Sequence, residues 1–171
     1  MYRTCLFVLV LMLCAAASSR ADEPELPPLS QPGQWNYVTQ DDAASSSHCI
    51  GRPRTPLCAV ETLLGCFQRG RIELCRMVDD GADQYAQVFA SPVDPGLYLA
   101  YRIVGGQALT PDTLPAGQSA AQPGDVLLVL DQREGALGRY AHATGAPASN
   151  FLLRKQADGA WKIINWGDPE D

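Results

Sequence analysis

The sequence predicts an α+β domain in which N-terminal helices pack on one face of a curved, mainly antiparallel sheet, stapled by disulfides. Three observations support this fold class. Apolar residues recur at helical spacing between Thr55 and Val78, runs of aromatic and branched residues follow from Leu97, and the chain closes with a hairpin. Helices followed by antiparallel strands are typical of α+β domains.

The helical part begins at Thr55, whose hydroxyl suits an N-cap, and Pro56 occupies the first helical position. Gly70 offers the left-handed conformation that ends a helix, and a second short helix is predicted over about residues 71–78. The two helices form a hairpin. A third helical segment is predicted from Ala82, ending before Pro92, and its apolar members are Tyr85, Val88 and Phe89.

Two strands separated by a long loop are predicted after the helices. Residues 97–104 are rich in aromatic and branched side chains, which favour a strand. Residues 105–124 are turn-rich and low in apolar content, so we expect a long loop there. The continuous apolar run 126–130 predicts a strand buried on both faces, and a further short strand is predicted at residues 140–142.

The last two strands form a hairpin around Asp158-Gly159, a dipeptide typical of tight turns. A two-residue loop would place Trp161 opposite Gln156. It would also place four apolar residues on one face: Phe151, Leu153, Ile164 and Trp166. A slip of one residue would reverse the faces.

The first 21 residues have the pattern of a secretory signal peptide. Arg3 precedes an apolar run from Cys5 to Leu13, and small residues follow up to Ala21. This run is shorter than the roughly 20 residues that a membrane span needs. We therefore expect cleavage after Ala21, export to the periplasm or the medium, and a mature chain that does not span a membrane.

The remainder divides into a Pro-rich, polar tether over residues 22–47 and a single α+β domain over residues 48–171. The formal net charge is -6, and the basic residues are scattered rather than clustered. Nucleic-acid binding requires a concentrated positive surface. The charge pattern therefore excludes nucleic acid as a partner.

Four cysteines remain after the leader: Cys49, Cys58, Cys66 and Cys75. An even number in an exported domain predicts two disulfides, for which three pairings exist. Cys66 and Cys75 lie at similar distances on either side of the turn at Gly70, so the two helices bring them together. We therefore predict Cys66–Cys75 and, by closure of the preceding loop, Cys49–Cys58.

Metal binding and redox catalysis are the alternatives for these cysteines. The chain contains no C-x-x-C motif, and His48 beside Cys49 is not a zinc-ligand spacing. A close-set reactive pair that would lower a thiol pKa is also absent from the sequence. We therefore expect structural disulfides, no metal and no cofactor.

The element order and the terminal segment FLLRKQADGAWKIINW resemble the nuclear-transport-factor-2-like superfamily, which includes polyketide-cyclase-like and ketosteroid-isomerase-like proteins. The resemblance covers at most Thr55 to Trp166. It implies a cone-shaped fold in which the concave sheet and the helices enclose an apolar pocket. Enzymatic members of the superfamily place an Asp, His or Tyr in that pocket.

Asp131, at the end of an apolar strand, is the candidate general base. In a dry cavity its pKa would rise, and Tyr101 or Tyr140 would donate to a developing oxyanion. Alternatively, Asp131 begins a polar strand end, DQRE, that lies in solvent. His142, between two alanines, is a further catalytic candidate, although such a histidine is more often a surface residue.

Trp161, Trp166 and Tyr101 are the candidate ligand-binding residues, with core packing as the alternative for the two tryptophans. Nucleophile-elbow and zinc-protease motifs are absent from the sequence. We expect an exported, non-catalytic accessory protein that binds a small apolar molecule or an envelope protein. The alternatives are a polyketide-cyclase-like or isomerase-like enzyme and a structural interaction module.

Overall fold

An antiparallel sheet and the helices between its first two strands make up the described part of the chain. The computed structural model describes residues 24–40, 45, 48–90, 97–115, 119–136 and 148–167. The predicted leader and the candidates Tyr140 and His142 lie outside these residues. Within them, no helix has the length and apolar character needed to cross a membrane.

Five strands form one curved sheet in the order β1-β2-β3-β4-β5 over the described residues, and every neighbouring pair is antiparallel. The predicted α+β class is confirmed. The strands are β1 Asn36–Thr39, β2 Leu97–Ala108, β3 Val126–Ala136, β4 Ser149–Lys155 and β5 Trp161–Gly167. The helices are α1 Pro56–Arg69, α2 Ile72–Val78 and a 3₁₀ helix, Ala82–Ala90.

Strand β1 precedes the helices and lies within the segment that the sequence analysis assigned to the tether. It pairs with β2, with Asn36 opposite Tyr101 and Thr39 opposite Tyr98. Val38 on this strand is fully buried. Ser30 also contacts β2, because its amide donates to the Ile103 carbonyl at 2.9 Å. Part of the Pro-rich region is therefore built into the sheet.

The helix boundaries follow the predicted capping residues. Thr55 Oγ1 accepts a hydrogen bond from the Cys58 amide at 3.2 Å, and Pro56 begins α1. Gly70 ends it in the left-handed region at φ 60°. Both predicted disulfides, Cys49–Cys58 and Cys66–Cys75, are present, each with a Cα–Cα distance of 5.4 Å.

The core lies between α1 and the concave face of the sheet. Val60 and Leu63 of α1 are at most 1% exposed, as are several sheet residues of the same core cluster. Those sheet residues include Leu128, Leu130, Phe151 and Leu153. Their burial stabilises the fold by about 1.5–3 kcal/mol per large side chain. Helix α1 therefore packs on the concave face of the sheet, the face where the superfamily resemblance predicts a pocket.

Two predictions about the central strands were wrong. Strand β2 continues to Ala108 through Gly105 and Gly106, which the sequence analysis placed in a loop, because β3 provides pairing partners as far as Val126. Within the apolar run of β3, residues 126, 128 and 130 are fully buried whereas residues 127 and 129 are partly exposed. The burial therefore alternates, as in a sheet that packs on one face.

The predicted terminal hairpin is present, but its register differs from the expectation. Trp161 pairs with Lys155 instead of Gln156. The same register places Ile163, rather than Ile164, opposite Leu153, and a register shift between Leu152 and Leu153 follows. Phe151 and Trp166 pair on the same face as predicted. A bulge of this kind inserts one residue and cannot be inferred from alternation alone.

Gly65, in the middle of α1, permits a close approach of the preceding loop. A Cβ atom at this position would lie 2.8 Å from Cγ2 of Ile50. We expect Gly65→Ala to destabilise the protein by about 1–3 kcal/mol, because overpacking outweighs the better helix propensity of alanine. Denaturant unfolding measures the change.

The control is the same substitution in an Ile50→Ala background, where the obstructing side chain is gone. There Gly65→Ala should be neutral or stabilise the protein by up to about 1 kcal/mol. An increase in stability from Gly65→Ala in the wild-type background would show that Ile50 does not restrict this position.

Candidate functional site

A cleft of about 360 Å³ runs along strand β5. It is lined by Asp79, Gln84 and Tyr85 from the region where α2 meets the 3₁₀ helix, and by residues 163–166 of β5. Within the described part of the chain, β5 pairs only with β4 and is the last strand of the sheet. The cleft therefore lies beside an open strand edge.

Aromatic side chains form one wall of this cleft. Trp166 stacks on Phe151 with ring centroids 6.2 Å apart and an interplanar angle of 4°. The Phe67 ring of α1 packs against two other rings. Its centroid lies 6.0 Å from that of Trp166 and 5.2 Å from that of Tyr85. Trp166 is nevertheless 40% exposed. The cluster thus runs from the buried Phe151 through the partly buried Phe67 and Tyr85 to the exposed Trp166.

A chain of hydrogen bonds fixes the polar part of the cleft. The Trp166 indole N–H donates to the Tyr85 hydroxyl at 3.2 Å, and that hydroxyl donates to Asp79 Oδ2 at 2.5 Å. Asp79 Oδ1 accepts from the Gly81 amide at 2.7 Å. Burial and the Asp79 carboxylate raise the pKa of Tyr85 above its usual value, so Tyr85 stays a donor at neutral pH.

The charges around the cleft are partly compensated. Asp80 forms an ion pair with Lys162 of β5, and Asp83 forms one with Arg76 at 2.8 Å. Asp79 instead accepts neutral donors, the Tyr85 hydroxyl and the Gly81 amide. Its carboxylate is therefore the negative group that a ligand in the cleft would meet.

The beginning of the β5 edge is covered. The Trp161 amide donates to the Pro53 carbonyl at 2.7 Å, outside the sheet. Trp161 itself is 3% exposed and belongs to the core, although it also borders a second cleft of about 220 Å³ beside Arg54 and Lys155. Of the two candidate tryptophans, Trp166 is the one that a large ligand can contact.

Asp131 and Tyr101, the candidate catalytic residues within the described part of the chain, lie on opposite faces of the sheet. Asp131 forms an ion pair with Arg102 at 2.5 Å on the outer face, where its side chain is 25% exposed. Arg102 and Arg133 pack over the Trp35 ring, with their guanidinium carbons 5.2 and 4.2 Å from its centroid. Tyr101 points to the helices instead. The structure therefore does not bring Asp131 and Tyr101 together.

Tyr101 is part of a buried polar cluster with Glu61, a residue that is not among the sequence-based candidates. It is 1% exposed and donates a short hydrogen bond to Oε1 of Glu61, which is 5% exposed. Burial, together with the Glu61 carboxylate, raises the pKa of Tyr101 well above its usual value. The spacing of Cys58 and Glu61, one helical turn apart, was the sequence signal for this cluster.

Comparison of the chain with protein-family models, with curated proteins and with solved structures finds no match.

The raised pKa of Tyr101 predicts a specific loss of stability in alkali. Above the ordinary tyrosine pKa of about 10, the unfolded chain ionises this tyrosine while the folded chain keeps it protonated, so the folded state holds more protons. The free energy of unfolding should fall by up to about 1.4 kcal/mol per pH unit from this group. Tyr101→Phe should remove that contribution.

Tyr101→Phe should also cost about 1–3 kcal/mol at neutral pH, because Glu61 loses a donor. Denaturant unfolding at several pH values measures both effects. Tyr85→Phe is the comparison: this hydroxyl also donates to a carboxylate and its pKa is also raised, but it is only partly buried, so its removal should change the alkaline loss of stability less. Parallel pH profiles for wild type and Tyr101→Phe above pH 10 would contradict the prediction.

Proposed function

We propose that this protein is an exported, non-catalytic accessory protein that binds an extended segment of a partner protein in the cleft along β5. The main support for the proposal is Trp166, which is 40% exposed beside the open edge of β5. Addition of a peptide strand to a sheet edge supplies main-chain hydrogen bonds, and neighbouring pockets select the side chains.

The dimensions of the cleft suit a short extended segment. Residues 163–166 of β5 line it, and four residues of a paired strand span about 13 Å. Trp166 and Tyr85 offer rigid aromatic surfaces that bind side chains with little loss of conformational entropy. Asp79 supplies a negative charge at one side. A segment with alternating apolar residues and one Lys or Arg is the occupant that fits.

Export to the periplasm is part of the proposal. It rests on the leader pattern and on the two disulfides, which persist in oxidising compartments. The partner would then be another protein of the envelope. Open sheet edges are normally protected, so an edge flanked by the exposed Trp166 favours a binding role over a purely structural one.

A small apolar molecule is the second candidate occupant. The polar groups Asp79, Gln84 and Asn165 weigh against it, because apolar ligands favour mainly hydrophobic linings. The enzymatic alternative needs a cavity on the concave face of the sheet. That face packs against α1, so the superfamily resemblance supports at most a likeness of fold.

Selection from a phage-displayed library of random linear peptides tests the proposal. We expect the selected peptides to alternate apolar and polar residues and to carry a basic residue. Their affinity should fall about 30-fold for Trp166→Ala and about tenfold for Asp79→Asn. Val104→Ala is the matched control, since Val104 is also 40% exposed but lies on β2.

Hydrogen exchange on the wild-type complex gives a second readout that does not depend on a substitution. Amides of residues 163–166 should become protected when the peptide binds. Equal binding to Trp166→Ala and wild type, or protection confined to other strands, would refute the proposed site.

A further inference from the structure

The Cys49–Cys58 disulfide lies against a buried carboxylate. Glu61 is 5% exposed and follows Cys58 by one turn of α1, so both side chains lie on the same helix face. Oε2 of Glu61 is 2.9 Å from Sγ of Cys49. The two sulfurs and a Glu61 oxygen all lie within 4.8 Å of one another. A half-cystine has no proton to donate, so this contact is not a thiol–carboxylate hydrogen bond.

The two disulfides of the chain differ mainly in exposure. Both link residues nine positions apart and have Cα–Cα distances of 5.4 Å. Cys66 and Cys75 are fully buried, whereas Cys49 and Cys58 are partly exposed. Reduction by an external thiol requires access to a sulfur atom. Cys49–Cys58 is therefore the disulfide that a reductant reaches first, and Cys66–Cys75 is an internal control.

We propose that reduction of the Cys49–Cys58 disulfide creates a zinc site. Its ligands are the thiolates of Cys49 and Cys58 and the carboxylate of Glu61. A thiolate of a dithiol reductant attacks one sulfur, the S–S bond breaks, and the second thiol of the reductant resolves the mixed disulfide. Two electrons pass to the two cysteines, and the reductant leaves as its own disulfide. The cysteine protons pass to solvent when Zn²⁺ binds, and water takes the fourth position.

The geometry requires only a small rearrangement. Tetrahedral zinc with bonds of about 2.0–2.3 Å places its ligand atoms about 3.5–3.8 Å apart. The three ligand atoms are already within 4.8 Å, so the sulfurs need only separate after reduction. Two thiolates favour zinc over magnesium or calcium, which prefer oxygen ligands.

Neighbouring hydrogen bonds hold the ligands in place. The Tyr101 hydroxyl donates to Oε1 of Glu61 and leaves Oε2 directed at the sulfurs. Thr62 Oγ1 donates to the Cys58 carbonyl at 2.7 Å and accepts from the Gly51 amide at 2.9 Å. The loop that carries Cys49 is thereby attached to the first turns of α1. Such outer contacts orient metal ligands and raise affinity.

The experiment uses the mature chain, limited reduction by dithiothreitol, anaerobic removal of the reductant, and addition of Zn²⁺ or Co²⁺ alone. Peptide mapping should locate two new thiols at Cys49 and Cys58. We expect one metal ion per chain and, with cobalt, a thiolate-to-metal charge-transfer band. The oxidised protein should bind none. Zinc affinity should fall at least about tenfold in Glu61→Gln and disappear in Cys49→Ser/Cys58→Ser.

Several results would overturn the proposal: equal reduction of both disulfides, no zinc bound by the selectively reduced protein, or unchanged affinity in Glu61→Gln. Where reduction unfolds the chain, zinc should restore the fluorescence of buried Trp161, because metal binding and folding are coupled. Failure of zinc to do so would count against the site. None of these results bears on peptide binding at β5.

Discussion

Burial of one face of α1 in the concave side of the sheet is the contact on which the other features depend. Val60 and Leu63 belong to the same buried cluster as the inner residues of the central strands. The helix carries Phe67, Glu61 and two of the disulfide cysteines, Cys58 and Cys66. Both candidate sites are thus set by the orientation of a single helix.

The two sites use the same helix in different ways. Phe67, near the C-terminal end of α1, supports Trp166 and Tyr85 at the solvent-facing cleft. Glu61, in the middle of the helix, is held away from water between Tyr101 and the first disulfide. The cleft along β5 therefore offers aromatic surface to a binding partner. The site at Glu61 instead holds a carboxylate and a disulfide that solvent reaches only in part.

Local signals predicted the local structure well. Thr55, Pro56 and Gly70 gave the bounds of α1 because capping depends on a few adjacent residues. The disulfide pairing followed from the helical hairpin that those bounds imply. Strand β1 was missed because four residues without a clear pattern become a strand only when β2 pairs with them. Long-range pairing of this kind has no signal in the segment itself.

The sites were harder to predict than the fold. A tryptophan near the end of a strand is a natural candidate for ligand contact, but alternation along β5 reveals neither the register shift nor the 40% exposure of Trp166. Asp131 was chosen for its position after an apolar strand, although Arg102, its ion-pair partner, lies directly opposite on β2. Glu61 was overlooked because a glutamate within a helix is normally a solvent-exposed residue.

The pairing of β1 with β2 has a consequence for how the chain folds. All residues from 40 to 96 lie between the two strands, so closing this pair carries a larger entropy cost than closing the hairpin of β4 and β5. Both disulfides lie within that intervening segment and each closes a short loop of its own. Once the cysteines are oxidised, the two disulfides shorten the loop that must be closed when β1 pairs with β2. Oxidation of the helical hairpin before the sheet is complete would therefore speed the docking of the first strand.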